Sequence, residues 1–210
     1  MDSSAFKILW SFGKDIKMRE VEVFVSSVTG NTKKLSDALI PCLKSMGYTP
    51  RVTDTSQALL TSQTPDTTQS PDEEKNTVAD KPVILCFWCR KAGLDDLSLR
   101  LVRTLSGRKI AAFGTMGSYP DSPYGNQVRE NVSRAICEKN HLLGLYLCRG
   151  KIDEKRTRKR RSLPTDHPHY LDDEAYKRHL SSRTHPDEED LKEAVEFIKR
   201  SLSYEDISNQ

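Results

Sequence analysis

Ser27-Val28-Thr29-Gly30-Asn31-Thr32 follows the apolar run Val21 to Val25 and opens a helical pattern, so its reading decides the fold. A strand that ends in hydroxyls and a glycine and turns directly into a helix builds a phosphate cradle. Small side chains let backbone N–H groups face inward, hydroxyls add donors, and the helix N-terminus contributes partial positive charge. The spacing is neither Gly-x-x-x-x-Gly-Lys-Ser/Thr nor Gly-x-Gly-x-x-Gly, which removes support for nucleoside triphosphate and dinucleotide loops. Thr29 and Thr32 also have a simpler reading, since threonine caps helices without any ligand.

The rest of the chain is organised around this turn. Near-continuous apolar runs at Val21 to Val25, Pro82 to Trp88, Lys109 to Phe113 and Leu142 to Cys148 read as strands buried on both faces, and Thr49 to Asp54 is a weaker fifth. Helical patterns separate them. Leu35, Leu39 and Leu43 share one stripe within Thr32 to Met46, Leu94, Leu97, Leu101 and Leu105 a second, and Val128, Val132 and Ile136 a third. Strands alternating with helices predict an α/β doubly wound parallel sheet. Pro41 inside the first helix predicts a kink or an early end.

With 210 residues, the chain is expected to form one domain with extensions: an N-terminal extension over 1–20, a core over 21–150, and a basic arm with C-terminal helices over 151–210. Thr53 to Lys81, rich in Thr, Ser, Gln, Asp and Pro, is expected to be a mobile surface insertion at about 54–81 rather than a core element. Pro186-Asp187-Glu188-Glu189 is a helix start signal. A net charge of +3 with 30% charged residues gives no general case for nucleic acid. Five cysteines without a second close pair, no signal peptide and no apolar run of about 18 residues predict a cytoplasmic protein that does not enter a membrane.

In a sheet of strand order 2-1-3-4-5, the carboxyl ends of the first, third and fourth strands meet around one crevice. Ser26 to Thr32, Trp88 to Gly93 and Gly114 to Tyr124 therefore converge. Trp88 is an aromatic plate at a strand end, and Gly114-Thr115-Met116-Gly117-Ser118-Tyr119 offers small residues, backbone donors and a second plate. Here the chain resembles the flavodoxin family, whose phosphate loop reads Ser/Thr-x-Thr-Gly-x-Thr, and more narrowly the flavodoxin-like proteins of the BilS type found beside bacterial bilirubin reductases. The narrower likeness is carried by Phe87-Trp88, Phe113 to Ser122, Gly150-Lys151-Ile152-Asp153, His167-Pro168-His169 and His185-Pro186-Asp187-Glu188-Glu189-Asp190-Leu191.

The resemblance implies a flavodoxin-like five-stranded sheet of order 2-1-3-4-5 with a C-terminal helical extension, the cofactor FMN, and electron delivery to a partner reductase. Bilirubin reduction is the associated reaction. The cofactor-binding residues it implies are Ser27, Val28, Thr29, Gly30, Asn31 and Thr32 in the phosphate loop, Trp88 and Cys89 in the second loop, and Gly114, Thr115, Met116, Gly117, Tyr119 and Tyr124 in the third. No catalytic residue or metal ligand set is expected. Two alternatives stay open: an FMN-dependent reductase acting on a small anionic or tetrapyrrole substrate, with Arg90 and Lys91 steering carboxylates, and a flavin-free binding module that uses the basic arm.

Other candidate chemistry has plainer readings. Cys86-Phe87-Trp88-Cys89 has redox spacing, but it ends a strand, whereas a working dithiol opens a helix that lowers the thiol pKa, so core packing is expected. Lys155 to Arg161 holds six basic residues in seven and reads as a solvated helix face or an anion contact. His167, His169 and His185 are metal-binding types, yet no carboxylate spacing completes a site with them.

Overall fold

The computed structural model describes residues 19–61 and 81–208. Five strands form the sheet: β1 (Arg19–Val25), β2 (Tyr48–Asp54), β3 (Val83–Trp88), β4 (Lys109–Met116) and β5 (His141–Arg149). The helices are α1 (Asn31–Ser45), α2 (Thr55–Thr61), α3 (Asp96–Thr104), α4 (Pro123–Cys137), α5 (Glu154–Arg161), α6 (Asp173–Ser181) and α7 (Glu188–Ser208). All neighbouring strands run parallel in the order β2-β1-β3-β4-β5, the predicted topology.

β3 lies at the centre, and its side chains alternate between two cores. Val83, Leu85 and Phe87 point into a layer with α2, α3 and α4, where Leu101, Val128, Val132 and Ile136 are buried. Ile84 and Cys86 point the other way, with Val23, Leu35, Leu39, Phe113, Ala194, Ile198 and Leu202 under α1 and α7. Each such fully buried aliphatic or aromatic side chain contributes about 1.5–3 kcal/mol relative to exposure. On the second face, Phe197 of α7 meets Phe113 edge-on, with ring centroids 5.7 Å apart.

Two expectations need correction. The first helix passes through Pro41 without ending, because Pro41 lies on the exposed face while Leu35, Leu39 and Leu43 hold the opposite face on the sheet. The carbonyl that loses its donor there can take water instead. The polar insertion begins later than its composition implied: Thr53 and Asp54 complete β2, and Thr55 to Thr61 form α2, whose Ala58 and Leu59 join the core. Residues 62–80 of that insertion, and all but the last two residues of the 1–20 extension, lie outside the described residues. No helix among the described residues is long and apolar enough to cross a membrane.

Candidate cofactor site

The Ser26 to Gly30 loop, where a phosphate cradle is expected, joins β1 to α1 at the carboxyl edge of the sheet. Gly30 caps the helix at φ +86°, a left-handed conformation that costs a residue with a Cβ roughly 1–2 kcal/mol. The N–H groups of Val28, Thr29, Gly30, Asn31 and Thr32 have no acceptor among the described residues. Ser27 Oγ accepts the N–H of Lys33 at 3.2 Å, and Thr29 Oγ1 accepts from Asn31 Nδ2 at 3.1 Å. Both hydroxyl hydrogens therefore stay available to an anion.

Thr32 behaves differently. It is buried, and its hydroxyl is engaged with Thr115 Oγ1 at 2.9 Å and the Phe87 carbonyl at 3.4 Å. Its hydroxyl pins the start of α1 to β3 and β4 instead of reaching into the loop. Ser26 Oγ donates to Asp95 Oδ1 at 2.9 Å, and Asp95 also accepts the N–H groups of Leu97 and Ser98 at the start of α3. This buried carboxylate, satisfied on all sides, ties the first loop to the helix beneath the second.

Trp88 ends β3 facing the crevice, and Cys89 follows it, its N–H held by the Thr115 carbonyl at 2.8 Å. Lys91 and Ala92 take positive φ in a tight turn closed by two backbone hydrogen bonds between Arg90 and Gly93. Arg90 pairs with Asp96, which offsets the charge expected to steer carboxylates. Tyr124 Oη accepts the N–H of Ala92 at 3.1 Å and so bridges the second and third loops.

The expected plate Tyr119 lies elsewhere. Its ring sits under the Arg149 guanidinium, 4.3 Å from the centroid, and lines a separate cavity between β5 and α7. Cation–π stacking on a mostly buried arginine accounts for the turn away from the crevice. Gly114 is a core position: a Cβ there would come within 2.5 Å of Phe87 Cζ and 2.6 Å of Leu147 Cδ2. Thr115, Met116 and Gly117 do line the crevice.

A segment that sequence reasoning did not place in the site crosses above β4. Gly150 N–H donates to the Met116 carbonyl, Lys151 N–H to His185 O, and Ile152 N–H to Ser182 Oγ, while the Lys151 carbonyl accepts from Asn31 Nδ2 at 2.9 Å. Ile152 packs over Gly117. This strap brings α5 and α6 over the crevice, so Arg156, Arg160, Arg178 and His179 become part of its wall. The basic run is therefore only partly a solvated face. Its one sequence signal is the i, i+4 spacing of Arg156 and Arg160, which puts both on one side of a helix.

The crevice is continuous. A cavity of about 290 Å³ runs from Thr29 and Asn31 to Trp88, and one of about 500 Å³ continues from Trp88 to Tyr124 and the arginines. Trp88, Cys89, Gly117, Ile152 and Arg156 line both. These sizes match ligand pockets of about 300–1,000 Å³. The arrangement offers unpaired amides at one end and aromatic faces at the other, a fit for a phosphorylated planar group.

The cysteines and histidines do other work. Burial, then Asp95, pushes the Cys89 thiol up to about 12, and burial raises Cys86 further, so neither supplies a thiolate at neutral pH. His185 does have carboxylates beside it, which its sequence spacing did not reveal: Nδ1 lies 2.5 Å from Asp190 and 3.4 Å from Asp187. Asp187 and Asp190 each accept the other's backbone N–H, so these groups form the start of α7. The backbone N–H of Asp190, followed by burial in the opposite sense and then His185, leaves Asp187 below the usual carboxylate range.

A sequence model of the Flavodoxin domain matches residues 22–199. The chain is 30% identical over 183 residues to the Flavodoxin-like domain-containing protein BilS of Clostridioides difficile (strain CD3), covering 86% of this chain and 94% of that protein. Among solved structures, oxidised flavodoxin 2 from Bacillus cereus superposes with a TM-score of 0.50 at 13% identity over 89% of this chain and 99% of that one. Oxidised flavodoxin 1 from the same organism gives 0.49 at 15% identity, over 88% and 97%. The domain-model match over residues 22–199 and the 30% identity over most of both chains establish that this chain belongs to the flavodoxin domain family.

Proposed function

We propose that this protein binds FMN in the crevice and carries electrons between partner proteins, one of them a reductase; the resemblance to the BilS type makes bilirubin reduction the reaction served. The observation that carries the reading is the row of N–H groups from Val28 to Thr32 without acceptors among the described residues, at a strand-to-helix turn that opens onto an aromatic-walled crevice. Bound FMN supplies the redox chemistry.

The chain's own residues do the rest. The loop amides, with the Ser27 and Thr29 hydroxyls, hold the phosphate through charge-assisted hydrogen bonds. Trp88 stacks on the ring system from the β3 side, and Tyr124 supplies a second aromatic wall by fixing the two shelf loops together. Ile152 and the strap exclude water from the middle of the crevice. The arginines around the outer end favour negative charge developing beside them.

The test is electron transfer by the FMN-loaded protein. Photoreduced protein mixed anaerobically with ferricytochrome c in a stopped-flow instrument is expected to reduce it with recovery of the oxidised flavin spectrum, while NADH and NADPH leave the flavin oxidised. Direct bleaching of the flavin by either nicotinamide would replace the carrier reading with that of a stand-alone reductase.

A further inference from the structure

The outer face of α5 carries positive charge that the fold does not neutralise. Of its residues only Thr157 is buried, and the side chains of Lys155, Arg156, Arg158, Lys159 and Arg160 form no ion pair among the described residues. Arg161, by contrast, turns inward to Asp173 and the Leu171 carbonyl. The five free cations stand at i, i+3 and i, i+4 spacings, where like charges repel along a helix, and an anionic surface laid over them would relieve that repulsion. The helix itself is fixed in place, because Asp153 caps its start by accepting the Arg156 N–H at 3.1 Å and Thr157 Oγ1 lies 2.9 Å from His179 Nδ1 on α6.

A depression of about 500 Å³ beside this face is lined by Arg156, Lys159, Arg160, Leu163, His167 and His169, with no acidic side chain in its wall. Arg160 Nε donates to the His169 carbonyl at 3.1 Å, and His167 Nδ1 accepts the His169 N–H at 3.0 Å, which leaves the proton of a neutral His167 ring on Nε2 as a further donor. Arg156 and Arg160 also line the outer end of the crevice, so an occupant of the depression touches the crevice mouth. Acids bound the face at both ends. Asp153 and Glu154 open α5, and Asp173, against Arg161, brings the acidic first turn of α6 to the far end. Eight residues make α5 roughly 12 Å long. A compact acidic patch fits between those limits, whereas an extended polyanion such as a nucleic acid strand would run over the acids.

We infer that the α5 face is the docking surface for an acidic patch on the protein that exchanges electrons at the crevice. The inference rests on the carrier reading, whose partner it describes. Carboxylates on a helix or loop of that partner are drawn in by Lys155, Arg158 and Lys159 and seat in the depression against Arg160 and His167. Encounter steered by opposite charge is fast and weakens as salt rises, and a small polar contact releases the partner after transfer, as a shuttle requires.

Stopped-flow oxidation of photoreduced, FMN-loaded protein by two haem acceptors of opposite charge tests this: the acidic soluble domain of ferric cytochrome b5 and the basic ferricytochrome c. Each ferric haem takes one electron from the reduced flavin and becomes ferrous. Between about 20 and about 300 mM NaCl the rate constant with cytochrome b5 is expected to fall at least about fivefold, and that with cytochrome c to stay level or rise. The triple variant Lys155→Gln, Arg158→Gln, Lys159→Gln, exposed throughout, should slow cytochrome b5 at low salt at least about threefold and flatten its salt dependence, while reoxidation by uncharged dioxygen keeps its rate. A rate with cytochrome b5 that ignores salt, or one equal in the triple variant, would overturn the inference. So would tighter binding of a fluorescein-labelled oligothymidylate than of cytochrome b5 at the same salt, lost in the same variant, which would make the face a nucleic acid site. If the protein takes up no FMN, the carrier reading fails by itself, and titration of that flavin-free protein with cytochrome b5 decides the face: salt-sensitive binding that the triple variant loses keeps it, and no binding overturns it.

Discussion

Thr29→Ala isolates the phosphate contact from the fold. The Thr29 side chain makes a single described hydrogen bond, accepting from Asn31 Nδ2, while Asn31 keeps its other bond to the Lys151 carbonyl. The substitution therefore removes one donor to the phosphate and leaves the strap anchored. A hydrogen bond to a charged group is worth about 1.5–3 kcal/mol, which converts to a loss of roughly ten- to 150-fold in FMN affinity. Fluorescence titration of the apoprotein measures it, with riboflavin as the control: lacking the phosphate, riboflavin should bind wild type and variant alike. An unchanged FMN affinity, or equal losses for FMN and riboflavin, would refute the assignment of this loop to the phosphate.

Trp88→Ala should weaken FMN by about two- to twelvefold, from roughly 0.5–1.5 kcal/mol of stacking, and relieve flavin fluorescence quenching; unchanged emission would take Trp88 out of the ring contact. Leu59→Ala should cost about 2–5 kcal/mol in chemical denaturation, because Leu59 is buried in the core beside β1 and α3; a loss under about 1 kcal/mol would mean that α2 does not pack on the sheet. His179, held below its ordinary value of 6.5, is neutral in the fold, so the unfolded chain binds more protons at mildly acid pH. Its contribution to stability is present above that value and lost as pH falls through the lower, folded one. Melting temperature should therefore fall less for His179→Gln than for wild type between neutral pH and about pH 5, and parallel profiles would contradict the burial of a neutral ring.

The sheet was legible because parallel strands buried on both faces leave near-continuous apolar runs, and even the weak run before Asp54 is a strand. α2 was not, because its two core residues, Ala58 and Leu59, are surrounded by Ser, Thr and Gln whose composition reads as loop. The places of the Ser27 to Thr32 turn and of Trp88, at the ends of β1 and β3, were legible as local patterns. Choosing between Tyr119 and Tyr124 was not, since they stand five residues apart after β4, one before α4 and one in its first turn, and Arg149, at the end of β5, decides which ring turns away. The arginine wall escaped for a similar reason. α5 has no apolar stripe, and what lays it over the crevice is Ile152 on Gly117 together with the Thr157–His179 bond, contacts between segments distant in sequence.

The central claim is that the crevice holds FMN by its phosphate, and the absorbance spectrum of the purified protein, followed by release and mass identification of its cofactor, tests it most directly. The account predicts a yellow protein, or an apoprotein that turns yellow on adding FMN, with one FMN per chain and neither FAD nor riboflavin in its place. A colourless protein that takes up no FMN would contradict it.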